Sequence, residues 1–259
     1  MEWKEMEEKL VSQLRLRTNP VGLTLLNDLK GLPQGVRRPR EDLGIKITLC
    51  QALGLARIYG WRVVMRGDDL VCLPAYLAFG FGEVKDRREA LERLIVEMGW
   101  LKGPKEAEKT PWFFWEKGYE GIMMEPLGKV EAEPDLILIY GNPAQVVKLV
   151  QGYTYGNGGT VALTSTGKLA CTEAVIGTLQ EKTPRVIIPG AGDRIFSAVQ
   201  DNELIFSLPT SELGPLLASL AEAGKKIGSH RYPHIPYLLY RPRHPRAWDE
   251  LARELGIEL

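Results

Sequence analysis

The chain has 259 residues, 44% of them hydrophobic and 25% charged, with 33 Lys+Arg against 33 Asp+Glu. This is enough chain to bury a sizeable core, and its balanced charge lacks the global positive field of a nucleic-acid binder, which argues against nucleic acid as a partner. No run of eighteen apolar residues is present, which excludes an apolar membrane-spanning helix. The start, MEWKEMEEKL, is charged and without an apolar signal core, which predicts a cytoplasmic protein with no membrane partner.

Residues 2–16 read as an amphipathic helix, because Trp3, Met6, Leu10 and Leu14 fall on one face. Asn19-Pro20 ends it, and a strand is expected over 21–26. Residues 30–42 are a polar loop rich in proline and arginine. A helix over 45–59 closes at Gly60, a natural C-cap. A hairpin is expected next, with Gly67-Asp68 at its turn. Asp86 can cap a helix running to Met98, with Glu89 at the capping-box spacing. Residues 100–120 break the periodicity, and 121–127 resume as a strand.

The polar stretch 128–134 divides the chain. Beyond it the pattern gives strand 135–140, helix 143–153, hairpin 160–171, helix 172–180, strand 185–188, loop 189–194, strand 203–208 and helix 211–223. Residues 225–246 are irregular, basic and proline-rich, and a helix is expected over 246–256. Shifted by ninety-nine residues, the stretch from Gly60 falls on that from Gly159, with Leu70 on Leu169 and Cys72 on Cys171. The predicted architecture is therefore α/β (mixed α+β): one compact domain over 1–259, made of two related strand-helix-hairpin-helix units (about 15–100 and 130–225). They would share a mixed sheet with flanking helices, and a basic strap over 225–259 would follow.

Four groups of residues could carry chemistry. Pro189-Gly190-Ala191-Gly192-Asp193-Arg194 follows an apolar strand. Its glycines allow close backbone approach to an anion, and Arg194 could clamp a carboxylate or phosphate, with Asp193 orienting it. It lacks the third glycine of a dinucleotide fingerprint and the ending of a Walker loop. Cys50, Cys72 and Cys171 are an odd, widely spaced set without C-x-x-C, so no disulfide framework is implied. Three thiolates could hold iron, zinc or an iron–sulfur cluster; buried thiols also serve as plain small hydrophobes. The basic tail carries His230, His234 and His244 among arginines and tyrosines, a surface for an anionic or aromatic ligand or a solvated strap. Trp112, Phe113, Phe114, Trp115 and Tyr119, with Met123 and Met124, could line a pocket for a flat ligand such as a tetrapyrrole, form core, or make a homodimer interface.

Taken together, the strand after Asn19-Pro20, the Cys50 helix, the Cys72 segment, DLILIYGNPAQ at 135–145, the Cys171 segment and IPGAGDR at 188–194 resemble the family known as domain of unknown function 169, over residues 15 to 240. The resemblance implies a cysteine in the loop before Gly-Asp-Arg, where this chain has Gly190. It implies no activity. The reading is a protein that binds a small anionic ligand or a metal-containing cofactor between two related halves, or otherwise serves a redox or cofactor pathway. The alternatives are an enzyme of small-molecule metabolism using the same cleft, with Asp193 or a cysteine as acid, base or nucleophile, and an interaction protein acting through a dimer interface.

Overall fold

The computed structural model describes residues 2–116, 118–227 and 245–257. Its centre is one eight-stranded mixed sheet in the order β2-β3-β4-β1-β5-β8-β7-β6. The strands are β1 (Val21–Leu26), β2 (Val36–Arg37), β3 (Arg62–Met65), β4 (Gly121–Pro126), β5 (Leu136–Gly141), β6 (Ala162–Leu163), β7 (Arg185–Ile187) and β8 (Leu204–Pro209). The middle of the sheet is the antiparallel pair β1 and β5, registered from Val21 opposite Leu138 to Leu23 opposite Leu136. Outward from that seam the two sides follow one scheme. β1 pairs antiparallel with β4 and β4 with β3, and β2 lies parallel to β3. β5 pairs antiparallel with β8 and β8 with β7, and β6 lies parallel to β7.

The helices are α1 (Trp3–Leu14), α2 (Pro39–Asp42), α3 (Leu49–Tyr59), α4 (Leu73–Phe79), α5 (Arg87–Glu97), α6 (Pro104–Lys109) and α7 (Pro143–Asn157). Next, α8 (Ala170–Thr172), a π-helical turn (Glu173–Gly177) and α9 (Thr178–Glu181) run on as one helical segment. α10 (Ala191–Ser197), α11 (Leu213–Ile227) and α12 (Arg246–Leu255) complete the set. The backbone falls into two units, residues 1–228, which hold the sheet, and residues 229–259, of which α12 is described. No described helix is long and apolar enough to cross a membrane.

Strand alternation separates two cores. Leu136, Leu138, Tyr140 and Ile205 face one side, where α3, α4 and the 170–181 segment pack. Ile137, Ile139, Phe206 and Leu208 face the other, against α1, α7 and α11. Every residue of β4 and of β5 is buried, as expected of central strands covered on both faces.

Two expectations fail in the same way. Neither predicted hairpin forms. After β3 the chain makes a 3₁₀ turn over Gly67–Asp69, and Leu70 then bridges Ile47 in parallel instead of returning along β3. The cause is Asp69, fully buried, whose carboxylate accepts from the Arg66 and Arg40 backbone N–H groups and from Arg38. In the second half, β6 is followed by a loop and then by α8, and it pairs in parallel with β7. Each half therefore contains a parallel strand–helix–strand crossover, β2-α3-β3 and β6-(170–181)-β7. The ninety-nine-residue register does not match this scheme. Strand for strand, α3 corresponds to 170–181, so Cys50 rather than Cys72 takes the place corresponding to Cys171.

Local signals fared better. Asp86 accepts from the Glu89 backbone N–H at 2.9 Å, and Gly60 caps α3 at φ 69°. Residues 30–42, read as loop, contain β2 and α2, and 189–194, also read as loop, runs into α10. Trp112 and Phe114 are buried in a third cluster with Leu91 and Ile95, so these two aromatics are committed to the chain's own core. Met123 and Met124 are buried within β4. The three histidines, and most of the expected strap, lie outside the described residues.

Candidate functional site: a buried thiol and carboxyl centre

Four side chains that the sequence scatters from position 50 to position 193 approach one another on the α3 face of the sheet. Cys50 is the second residue of α3. Thr48 fixes the start of that helix with a complete capping box: its hydroxyl accepts from the Gln51 N–H at 3.1 Å, and the Gln51 side chain accepts from the Thr48 N–H at 2.8 Å. Such a box satisfies two donors that a helix end otherwise leaves open. Cys171 sits in α8, and its thiol lies close enough to that of Cys50 to influence the titration of Cys50. Asp193 is the third residue of α10 and also adjoins the Cys50 thiol.

The crossing of α3 and α10 sets this arrangement. Gly54, one turn after Cys50, lies against Ser197, one turn after Asp193. A Cβ at Gly54 would meet Ser197 Oγ at 3.1 Å and the Ser197 backbone at 3.3 Å. The missing side chain lets the helices close, and the same face then brings Asp193 to Cys50. Beneath them, the buried Tyr140 ring at the end of β5 carries the Arg57 guanidinium at 4.4 Å.

Cys50, Cys171 and Asp193 are all buried, at 8%, 5% and 3% exposure. Cys72, the residue before α4, is half-buried and within electrostatic reach of Cys50 and Asp193. Cys50 titrates well above the ordinary thiol range, first because of its hydrogen bond with Cys171 and then because of burial. Burial raises Cys72 and Asp193 as well, and in Asp193 it outweighs the Gly190 N–H that donates to Oδ2 at 3.0 Å. Burial also raises Tyr140, with the Asp193 charge adding to it. Cys50 and Cys72 are therefore held as neutral thiols. Asp193 Oδ1 is buried without a hydrogen-bond partner, and the Cys50 thiol is among its neighbours.

The predicted anion loop divides between two roles. Asp193 turns inward to the thiols. Arg194 is held by its own turn, with Nη1 donating to the Pro189 and Gly190 carbonyls and Nε to Asp201 at 3.3 Å. Gly190 is explained by packing, because a Cβ there would lie 3.3 Å from the Gly167 carbonyl oxygen. Gly192 borders a small cavity of about 250 Å³ with Trp100 and Lys168. Among the described residues no group of three or more His, Cys, Asp or Glu side chains is placed to hold a metal ion. The three cysteines gather, but not as a three-ligand metal set.

Tyr140 and Arg57 carry no sequence signal. The first ends an apolar strand and the second sits in an ordinary helix, so only the packing reveals them.

A protein of Methanocaldococcus jannaschii, "Uncharacterized protein MJ0308", is 23% identical to this chain over 222 residues, spanning 85% of this chain and 94% of its own length. No solved structure matches the chain. The model of the family described as Uncharacterised ArCR matches residues 9–219. These residues hold both halves of the sheet and all three cysteines, and the chain belongs to that family, domain of unknown function 169.

Proposed function

We propose that this protein is a thiol-based redox protein, in which Cys50 and Cys171 interconvert between two thiols and one disulfide. The observation that carries this reading is the nearness of these two thiols, brought from opposite halves of the sheet into one buried place. Buried thiols that merely fill space gain nothing from meeting each other or from a carboxyl group alongside.

The reaction follows from the exposures. Cys72, partly accessible, is the thiol that meets an outside disulfide. Its sulfur attacks one sulfur of that disulfide, the S–S bond breaks, and one thiol leaves as a mixed disulfide forms on Cys72. Cys50 then gives its proton to Asp193 Oδ1 and attacks the Cys72 sulfur, releasing the second thiol. Cys171 attacks Cys50 in turn and frees Cys72. The balance is one external disulfide reduced to two thiols and one Cys50–Cys171 disulfide formed. The raised thiols make the steps slow at neutral pH and faster as pH rises, since the thiolate is the attacking form.

The test is to incubate the reduced protein with oxidised glutathione, unfold it, alkylate it and weigh it. The expected product has lost two hydrogens and keeps one alkylatable thiol. Cys50→Ser and Cys171→Ser should each abolish that product, and Cys72→Ser should slow its formation. Three alkylatable thiols after full exposure to the oxidant would overturn the proposal, as would a Cys50–Cys72 disulfide as the final product.

A further inference from the structure

A larger cavity, of about 730 Å³, lies between the 101–113 segment and the second half of the sheet, on residues that the thiol centre does not use. Its volume is that of a small-molecule site. Leu101, Pro111 and Phe113 supply apolar wall, and the loop Thr164-Ser165-Thr166 supplies hydroxyls.

Six charged side chains line it, and two of opposite sign, Arg185 and Glu173, are almost wholly buried. Arg185 is 2% exposed. Its guanidinium lies 4.8 Å over the Phe113 ring, Nη2 donates to Thr164 Oγ1, Nη1 faces Glu181 at 2.7 Å, and Nε has no acceptor. Glu173 is also 2% exposed. Its Oε1 accepts from the Thr166 N–H at 2.7 Å and from the Thr166 hydroxyl at 2.5 Å, while Oε2 has no donor. Among the described residues no ion pair joins Arg185 to Glu173, although both line the same cavity. A buried cation and a buried anion that leave each other alone, each with unused capacity, are costly unless something else completes them.

The backbone is shaped around this pair. Glu173–Gly177 is a π-helical turn, a distortion that recurs at functional sites. Gly177 closes it, and a Cβ there would stand 2.9 Å from Arg185 Nη1 and 3.2 Å from Phe113 Cζ. The glycine thus leaves the lane in which the guanidinium lies between helix and ring.

From this geometry we infer that the cavity binds a small zwitterion with an apolar body, the chemistry of an apolar α-amino acid. The Arg185 guanidinium takes the carboxylate, for which its planar fork is suited. Glu173 Oε2 takes the ammonium, and the side chain lies against Phe113, Leu101 and Pro111. A simple anion would leave Glu173 Oε2 without a donor, and a simple cation would leave Arg185 Nε without an acceptor. The inference stands apart from the thiol chemistry and needs none of the cysteines.

The test is isothermal titration of the full chain with L-phenylalanine, 3-phenylpropionate and phenethylamine. These share the ring and differ in carrying both charges, the carboxylate alone or the ammonium alone. L-Phenylalanine should bind at least about tenfold more tightly than either analogue, a difference of about 1.4 kcal/mol. Arg185→Gln should remove the preference for phenylalanine over phenethylamine. Glu173→Gln, which keeps the acceptor for Thr166 and serves if the arginine variant does not fold, should remove the preference over 3-phenylpropionate. Equal binding of all three ligands, unchanged binding by a folded Glu173→Gln protein, or no heat with L-phenylalanine, L-leucine and L-tryptophan alike would each overturn the inference.

Discussion

Arg57 and Arg185 are both buried to within 2% of complete exclusion from solvent, yet they do different work. Arg57 donates from Nη1 and Nη2 to both carboxylate oxygens of Glu203, at 3.2 and 3.3 Å, and from Nη2 to the Ser197 and Ala198 carbonyls at 3.3 and 3.1 Å. It also lies over Tyr140. It therefore ties α3 to the end of α10 and to the approach to β8, and it holds the thiol centre together from below. Arg185 has an ion pair with a half-exposed Glu181, one threonine hydroxyl and a ring, and a cavity beside it. Each leaves its Nε without an acceptor. What separates them is their surroundings: a closed set of protein partners makes a clamp, and a half-open set on a cavity wall makes a place for a ligand.

The sharpest way to break the comparison is to remove each arginine. Arg57→Ala leaves Glu203 and two carbonyls without their donor and is expected to cost about 3–5 kcal/mol, the range for breaking a buried ion pair. Arg185→Ala should cost less than Arg57→Ala, since Glu181 remains half in water. Urea unfolding of the two variants checks the order, and equal losses would erase the distinction.

Arg62 and Glu125, 3.1 Å apart, give an intermediate case. Burial pushes the Glu125 carboxyl up to about 7 from an ordinary 4.5; Arg62 opposes this and Glu131 adds to it. The native state therefore holds a proton that the unfolded chain has lost between those two values. Stability from this group is full below pH 4.5 and is lost as pH rises through 7, by about 1–3 kcal/mol. Glu125→Gln should flatten that part of the curve, measured as the urea midpoint from pH 4.5 to 8. An unchanged slope would mean that Arg62 keeps the carboxylate ionised throughout.

The glycines beside the two arginine sites sharpen the contrast further. Gly177→Ala is expected to cost about 1–2 kcal/mol by overpacking and to weaken L-phenylalanine binding, because the new methyl displaces the guanidinium. Gly54→Ala should cost about 1 kcal/mol, push α10 away and slow Cys50–Cys171 disulfide formation, with amino-acid binding unchanged. Calorimetry and thiol counting on both variants test whether the two sites are separate.

Much of the fold was legible because its signals are local. Asp86 with its capping partner, Gly60 at a helix end, and the apolar runs of β1, β4 and β5 are written within a few residues of one another. The first hairpin was misread because Arg66-Gly67-Asp68 carries the composition of a hairpin turn, while the deciding group is Asp69, whose partners Arg38 and Arg40 lie far upstream. Of the candidate site, Cys50, Cys72, Cys171 and Asp193 were all visible as residue types. Their grouping was not, since it depends on how α3, α8 and α10 cross. Glu173 and Arg185 gave no signal, because their meaning lies in partners they lack, and a missing partner shows only when every neighbour is known.

By itself, then, the sequence determined the alternation of helices and strands, a mixed sheet with flanking helices, and a chain with apolar content enough for a sizeable core. These follow from periodicity, caps and glycine conformations, which act over one or two turns of chain. Only the tertiary structure decided that the crossovers are parallel, that Cys50 and Cys171 come near each other, that Arg194 serves its own turn, and that Arg185 and Glu173 share a cavity. Those outcomes are set by contacts between residues distant along the chain, where close packing and the partnering of buried charge choose among arrangements that local preference leaves equal.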